Sequence, residues 1–164
     1  MAVTGDSAGG ALALSLASAV SSPVRAALVA VALLSPITDL ALSGLSWETR
    51  ALVDPYFTKS QIPQLVQSYL GDFAPLEPAV SPLWGDLNGL PPLRIHVGDA
   101  EVLLDDSRRF FNKAAACGVG ARLDIWEGMA HGFASATGPL AAADAALEAI
   151  GAFLRDRRVV AAGD

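Results

Sequence analysis

Residues Gly5-Asp6-Ser7-Ala8-Gly9 have the G-x-S-x-G spacing, with a serine hydroxyl at the centre and small side chains on both sides of it. A short β-prone lead (Ala2, Val3, Thr4) precedes them, and a long run of helix formers begins at Ala8. Strand, sharp turn and helix in that order make a nucleophile elbow. There glycines, here Gly5 and Gly9, remove the Cβ atoms where strand and helix crowd. The serine takes a strained backbone that lifts its hydroxyl into solvent, and the first N–H groups of the helix, that of Ala8 foremost, face a developing oxyanion. A hydroxyl is a poor nucleophile until a base removes its proton. His131, in the loop Met129-Ala130-His131-Gly132-Phe133, is the candidate base. Between the two lies a cluster of acids, Asp99, Glu101, Asp105 and Asp106, any of which offers a carboxylate to orient the imidazole. Serine, acid and histidine in that chain order are the parts of an acyl-transfer site. In a chain with 15 glycines the motif alone is weak, and a Gly-rich turn is the plain alternative; the strand before it and the helix after it favour chemistry.

The other reactive side chains have simpler readings. His96 lies inside a predicted buried strand and reads as a hydrogen-bonded core histidine. The single Cys117 sits in an Ala-rich helical stretch and reads as a small, half-buried thiol. No metal or organic cofactor is called for. The 164 residues are 52% apolar and 17% charged, which fits one globular domain. A net charge of −6 disfavours nucleic acid or an anionic membrane surface as a partner. The apolar run around Leu28 to Leu34 stops at Ser35-Pro36, well short of the ~20 residues a membrane span needs. No charged leader or cleavage site precedes the elbow, which reads as a cytoplasmic chain.

Periodicity then gives the elements that must hold these residues. Ala8 to Ser21 reads as a buried helix ended by Ser21-Ser22-Pro23, and Arg25 to Leu34 as a continuous apolar strand covered on both faces. From Asp39 to Pro82 prolines are dense and the period is poor; one helix is expected, Ser60 to Leu70, stopped by Gly71. The rest of 39–82 reads as an irregular excursion near the active site, where Trp47, Tyr56 and Phe57, with Trp84 beyond it, are candidates to line an apolar pocket or, equally, to fill core gaps. Leu93 to Val97 is the next strand. Leu103 to Cys117 follows as an amphipathic helix with Leu104, Phe111 and Ala115 on its inner stripe, and Asp105 and Asp106 bonded to its own free N–H groups. Ala121 to Trp126 alternates as a strand. A last helix begins at Pro139 with Leu140, Ala143, Leu147, Ile150 and Leu154 in period, and Arg155 to Asp164 reads as a frayed tail. Alternation of this kind implies an α/β fold, a parallel sheet flanked by helices, with ligand chemistry at the C-terminal ends of its strands. Ser7, the acid cluster and His131 all fall at that edge.

With these residues in place the chain resembles the C-terminal half of an α/β-hydrolase of the hormone-sensitive-lipase-like esterase family. Gly5-Asp6-Ser7-Ala8-Gly9-Gly10 is similar to the family's serine motif, Ser81-Pro82-Leu83 and Leu90-Pro91-Pro92-Leu93 to the segment before its seventh strand, and Ala130-His131-Gly132-Phe133 to its histidine loop. The resemblance implies a catalytic Ser7, His131 and, from the register of Glu101-Val102-Leu103-Leu104-Asp105-Asp106 with the family's acid segment, Glu101 as the triad acid, with Asp99 as runner-up. It implies cleavage of small-molecule carboxylic esters, of short-chain acyl or acetyl groups, through an acyl-enzyme. The family's first strands, cap helices and His-Gly-Gly-Gly oxyanion loop have no counterpart here. The expectation is therefore a partial catalytic domain over 1–164, N-terminally truncated at the elbow, marginal in stability and slow or inactive by itself. Losing one oxyanion donor alone typically costs about 10²–10³ in turnover. Amide or thioester cleavage, and a non-catalytic fragment or interaction module, are the rival readings, and a homodimer is left open.

Overall fold

Four strands, β1 (Ala2–Asp6), β2 (Ala30–Leu34), β3 (Leu93–Gly98) and β4 (Ala121–Trp126), form one all-parallel sheet in the order β1-β2-β3-β4. The structure, a computed structural model, describes residues 1–20, 22–57 and 61–162. Among the described residues six α-helices accompany the strands: α1 (Ala8–Ala19), α2 (Ser22–Ala27), α3 (Ser46–Thr49), α4 (Ile62–Leu70), α5 (Leu104–Ala116) and α6 (Ala141–Ala162). One face of the sheet packs on α1 and α5, through Leu14 and Ala17 against Val31 and Leu33, and through Phe110 and Ala114 against Leu93 and Ile95. The other face is covered by α6. Residues 30–33 of β2 are wholly buried because helices lie on both sides, which is what the unbroken apolar run signals in a parallel strand.

Several boundaries and one helix face differ from the sequence reading; the last helix, expected from Pro139, begins at Ala141. The strand expected over Arg25 to Leu34 starts only at Ala30, and residues 22–27 are helical. Its first ladder residue is Ala30, which pairs with Ala2 of β1. Pro23, without an N–H, suits a first helical turn, and the Arg25 guanidinium bonds the Ser18 carbonyl left open at the end of α1. In α5 the buried stripe is Leu104, Ser107, Phe110 and Ala114, rotated from the expected one; Ala115 is exposed and Phe111 only partly covered. The tail expected to fray from Arg155 continues α6 to Ala162, since no Gly or Pro interrupts it; Gly163 and Asp164 lie outside the described residues. The helix expected from Ser60 is described from Ile62, with Ser60 outside the described residues, and it ends where Gly71 donates to the Gln67 carbonyl.

The rotation of α5 has a cause in Asp106. That side chain does not cap its own helix, as its position suggested. It is fully buried, and its Oδ1 accepts the N–H groups of Thr38 (2.8 Å) and Asp39 (3.0 Å) in the loop after β2. Asp105 likewise serves another helix, accepting the Ser46 N–H at the start of α3 (2.9 Å). Burial pushes the Asp106 carboxyl up to about 7, against the Thr38 amide and with the Asp39 charge adding to the rise. An acid raised in the native state holds a proton there that the unfolded chain has already lost. Its contribution therefore makes stability fall as pH rises from the ordinary carboxylate range to about 7. Asparagine keeps the Oδ1 acceptor and does not titrate, and Oδ2 has no partner among the described residues. Asp106→Asn is expected to melt several degrees above the parent at about pH 8 and to lose that advantage towards about pH 4, read by thermal denaturation across pH.

Both edge strands have an open side. Ala2 and Thr4 of β1 are exposed, and Leu12 and Leu16 of α1 are 56% and 50% exposed. No described helix is long and apolar enough to cross a membrane.

Candidate active site

Ser7 links β1 to α1 with φ 57° and ψ −121°, a region that costs a non-glycine residue on the order of 1–3 kcal/mol. Its backbone is tied on every side. The Ser7 N–H donates to the Leu34 carbonyl (2.9 Å), and its own carbonyl accepts from Gly10 (3.0 Å) and Ile37 (3.1 Å). The crowding that demands glycine falls on Gly5 and Gly10. A Cβ on Gly5 would collide with the Gly9 carbonyl, and one on Gly10 would lie 2.6 Å from the Pro36 Cβ. Gly9, expected to be the second obligatory glycine, has open space at its Cβ position; its carbonyl, and not its own side, is what crowds Gly5. The Ala8 N–H, in the first turn of α1, has no acceptor within the helix. Asp6 beside it is held above the usual carboxylate range by partial burial, opposed by the neighbouring His131.

The acid and the histidine meet where the loops after β3 and β4 cross. Asp99 and Ala100 donate their N–H groups to the Trp126 (3.0 Å) and Met129 (3.1 Å) carbonyls. The approach requires Gly98, since a Cβ there would collide with the Met129 carbonyl. Glu101 is fully buried. Its Oε1 accepts the Gly98 N–H (3.1 Å) and its Oε2 lies 3.0 Å from Nδ1 of His131. Asp99 faces elsewhere, accepting the Gly128 N–H at 2.7 Å. A carboxylate 3.0 Å from Nδ1 of His131 favours the tautomer with the ring proton at that nitrogen, in which Nε2 is free to accept one. On its other side the imidazole meets the Phe57 ring, centroids 4.6 Å apart.

His96, in β3, contacts Trp126 of β4. It is fully buried, and its Nδ1 accepts the Trp126 indole N–H at 3.0 Å. Burial pulls its pKa down to about 4 although Asp124 pulls the other way, so the ring is neutral near pH 7. Trp126 in turn packs against Phe133, two residues past His131, with ring centroids 5.9 Å apart.

An apolar cavity of about 280 Å³ opens beside Ser7 and is walled by Ala8, Ile37, Trp47, Phe57, Leu65 and Tyr69 among others. Of the four aromatics expected to line it, Trp47 and Phe57 do. Tyr56 is 66% exposed outside it, because the turn that seats Phe57 inward sends its neighbour out. Trp84 is held elsewhere by its N–H to Asp39 (3.0 Å) and by the Arg109 guanidinium over its ring. The sequence reading missed the contribution of α4, whose Ile62, Leu65, Val66 and Tyr69 were legible as a helical stripe but not as cavity wall. A larger depression of about 550 Å³ lies at the opposite ends of β3 and β4, between Arg94, Arg122 and Phe153, away from all of these groups.

A parallel sheet with a serine on a strained strand-to-helix turn, and a buried acid–histidine pair at the same edge, defines a class of protein. A family model described as an alpha/beta hydrolase fold matches residues 1–135, and the chain belongs to the α/β-hydrolases of the hormone-sensitive-lipase-like esterase family. It is 36% identical to an acetyl-hydrolase of Streptomyces hygroscopicus over 93% of this chain and 51% of that protein. An esterase of Acinetobacter venetianus is also 36% identical, over 80% of this chain and 44% of its own length. A crystal structure of an esterase from the bacterial hormone-sensitive lipase family superposes with a TM-score of 0.87 at 38% identity, covering 95% of this chain and 52% of that one. The chain thus spans about half the length of the relatives it matches.

Proposed function

We propose that this chain forms the part of a carboxylesterase that carries the nucleophile, the base and the acid. The observation that supports it most is the buried Glu101 oxygen 3.0 Å from His131 Nδ1, at the sheet edge where Ser7 borders an apolar cavity. His131 Nε2 takes the proton of the Ser7 hydroxyl as Oγ attacks the ester carbonyl carbon. The tetrahedral oxyanion is stabilised by the Ala8 N–H and the positive end of α1. The imidazolium, stabilised by Glu101, then protonates the leaving alcohol. Water, deprotonated by the same histidine, attacks the acyl-serine and releases the acid. Residues 1–164 act here as one catalytic unit, with segment 39–82 supplying much of the cavity wall.

The relatives' names, acetyl-hydrolase and esterase, support an ester substrate, and the small apolar cavity of about 280 Å³ suits a short acyl chain. Turnover of nitrophenyl esters of increasing acyl length, beside the matching amide and thioester, tests this. Acetyl to butyryl esters are expected to turn over fastest, with the amide slower by orders of magnitude. A preference for the amide, or for long acyl chains, would displace the proposal.

A further inference from the structure

The segment from α3 to Phe57 lies across the loop that carries Glu101, and the two are joined by polar contacts on both sides of that residue. Arg50 Nε donates to the Asp99 carbonyl at 2.7 Å. The Ser46 hydroxyl donates to the Val102 carbonyl (2.5 Å) and accepts the Asp105 N–H (3.0 Å). At the centre stands Asp54, a buried carboxylate that no catalytic step uses. One of its oxygens, Oδ1, accepts the N–H groups of Tyr56 (2.8 Å) and Phe57 (3.1 Å). The other, Oδ2, accepts the N–H of Val102 (2.9 Å), which belongs to the peptide joining Val102 to Glu101.

We propose that Asp54 is a positioning residue for the Glu101–His131 pair. This rests on the reading of that pair as catalytic. Its Oδ2 fixes the peptide on the C-terminal side of Glu101, while the contacts of Ala100 and Gly98 fix the N-terminal side. Its Oδ1 shapes the turn that seats the Phe57 ring against His131. One carboxylate therefore sets both the acid and the face of the imidazole opposite to it. A carboxylate is needed because N–H donors approach both oxygens. Asparagine, almost the same in shape, offers one oxygen only and turns an NH₂ group against an N–H at the other end, leaving a buried donor unpaired.

If Asp54 merely closed a local Asp-Pro turn, asparagine would serve nearly as well, since it favours the same turn. The test is Asp54→Asn, with nitrogen NMR of the His131 imidazole and steady-state kinetics on the same preparation. The wild-type ring is expected to be one tautomer, protonated at Nδ1. In Asp54→Asn it becomes a mixture, kcat falls by about 10–10²-fold and KM changes little. Asp54→Ser, whose shorter side chain keeps an oxygen near the Tyr56 and Phe57 amides but does not reach Val102, is expected to do the same. An unchanged tautomer in a folded variant, a mixed tautomer in the wild type, or failure of both variants to fold would overturn the proposal. The spectra are read without turnover, so an inactive wild type would count against the esterase reading and leave the Asp54 comparison standing.

Discussion

Ser7→Ala is expected to lower ester turnover by about 10⁶-fold, to the level left by binding and the oxyanion donors, on this chain or on a polypeptide of its relatives' full length that contains it. The size follows from the mechanism, because without Oγ no acyl-enzyme forms and the histidine has nothing to activate but water. The substitution removes one oxygen and leaves the Leu34, Gly10 and Ile37 contacts of the Ser7 backbone intact. The melting temperature and KM are therefore expected to stay near those of the parent. Steady-state kinetics with a short-chain aryl ester measure this directly, and unchanged turnover would remove Ser7 from the mechanism.

Glu101→Gln is expected to lower kcat by about 10⁴-fold, while Asp99→Asn changes it by less than about tenfold. Both oxygens of Glu101 accept hydrogen bonds, from Gly98 and from His131. A glutamine oxygen that stays with Gly98 turns its NH₂ group towards Nδ1. That forces the ring proton to Nε2, where the imidazole can no longer take one from Ser7. If the oxygen turns to Nδ1 instead, the NH₂ group meets the Gly98 N–H in a site without solvent, and a buried donor is left unpaired. Asp99 has a single acceptor task, the Gly128 N–H, which asparagine still performs. Kinetic measurements with the opposite ranking would move the acid to Asp99.

The parts of this site that rest on short-range signals were legible in the sequence. A β-prone lead, a glycine-flanked serine and an apolar helix announced the elbow, and alternation in Ala121 to Trp126 marked β4 at the ends it has in the structure. His96 read correctly as a buried, hydrogen-bonded core histidine, because its surroundings in the chain are apolar on both sides. What failed depended on partners far along the chain. The first ladder residue of β2, Ala30, faces Ala2 of β1, and the rotation of α5 is set by two amides 68 and 67 residues before Asp106. Glycine was assigned to Gly9 by motif, whereas Pro36, brought in after β2, makes Gly10 the crowded position. Asp54 gave no signal beyond an Asp-Pro turn, since its contact with Val102 spans 48 residues.

The central claim, that Ser7 is a nucleophile activated by His131, is tested most directly by a fluorophosphonate probe and peptide mass mapping, because only an activated hydroxyl displaces fluoride at a useful rate. The expected result is a single phosphonyl adduct on the peptide holding Gly5 to Gly10, located on Ser7 and absent from His131→Ala treated in parallel. An adduct on another serine, or labelling of Ser7 at the same rate without His131, would contradict it.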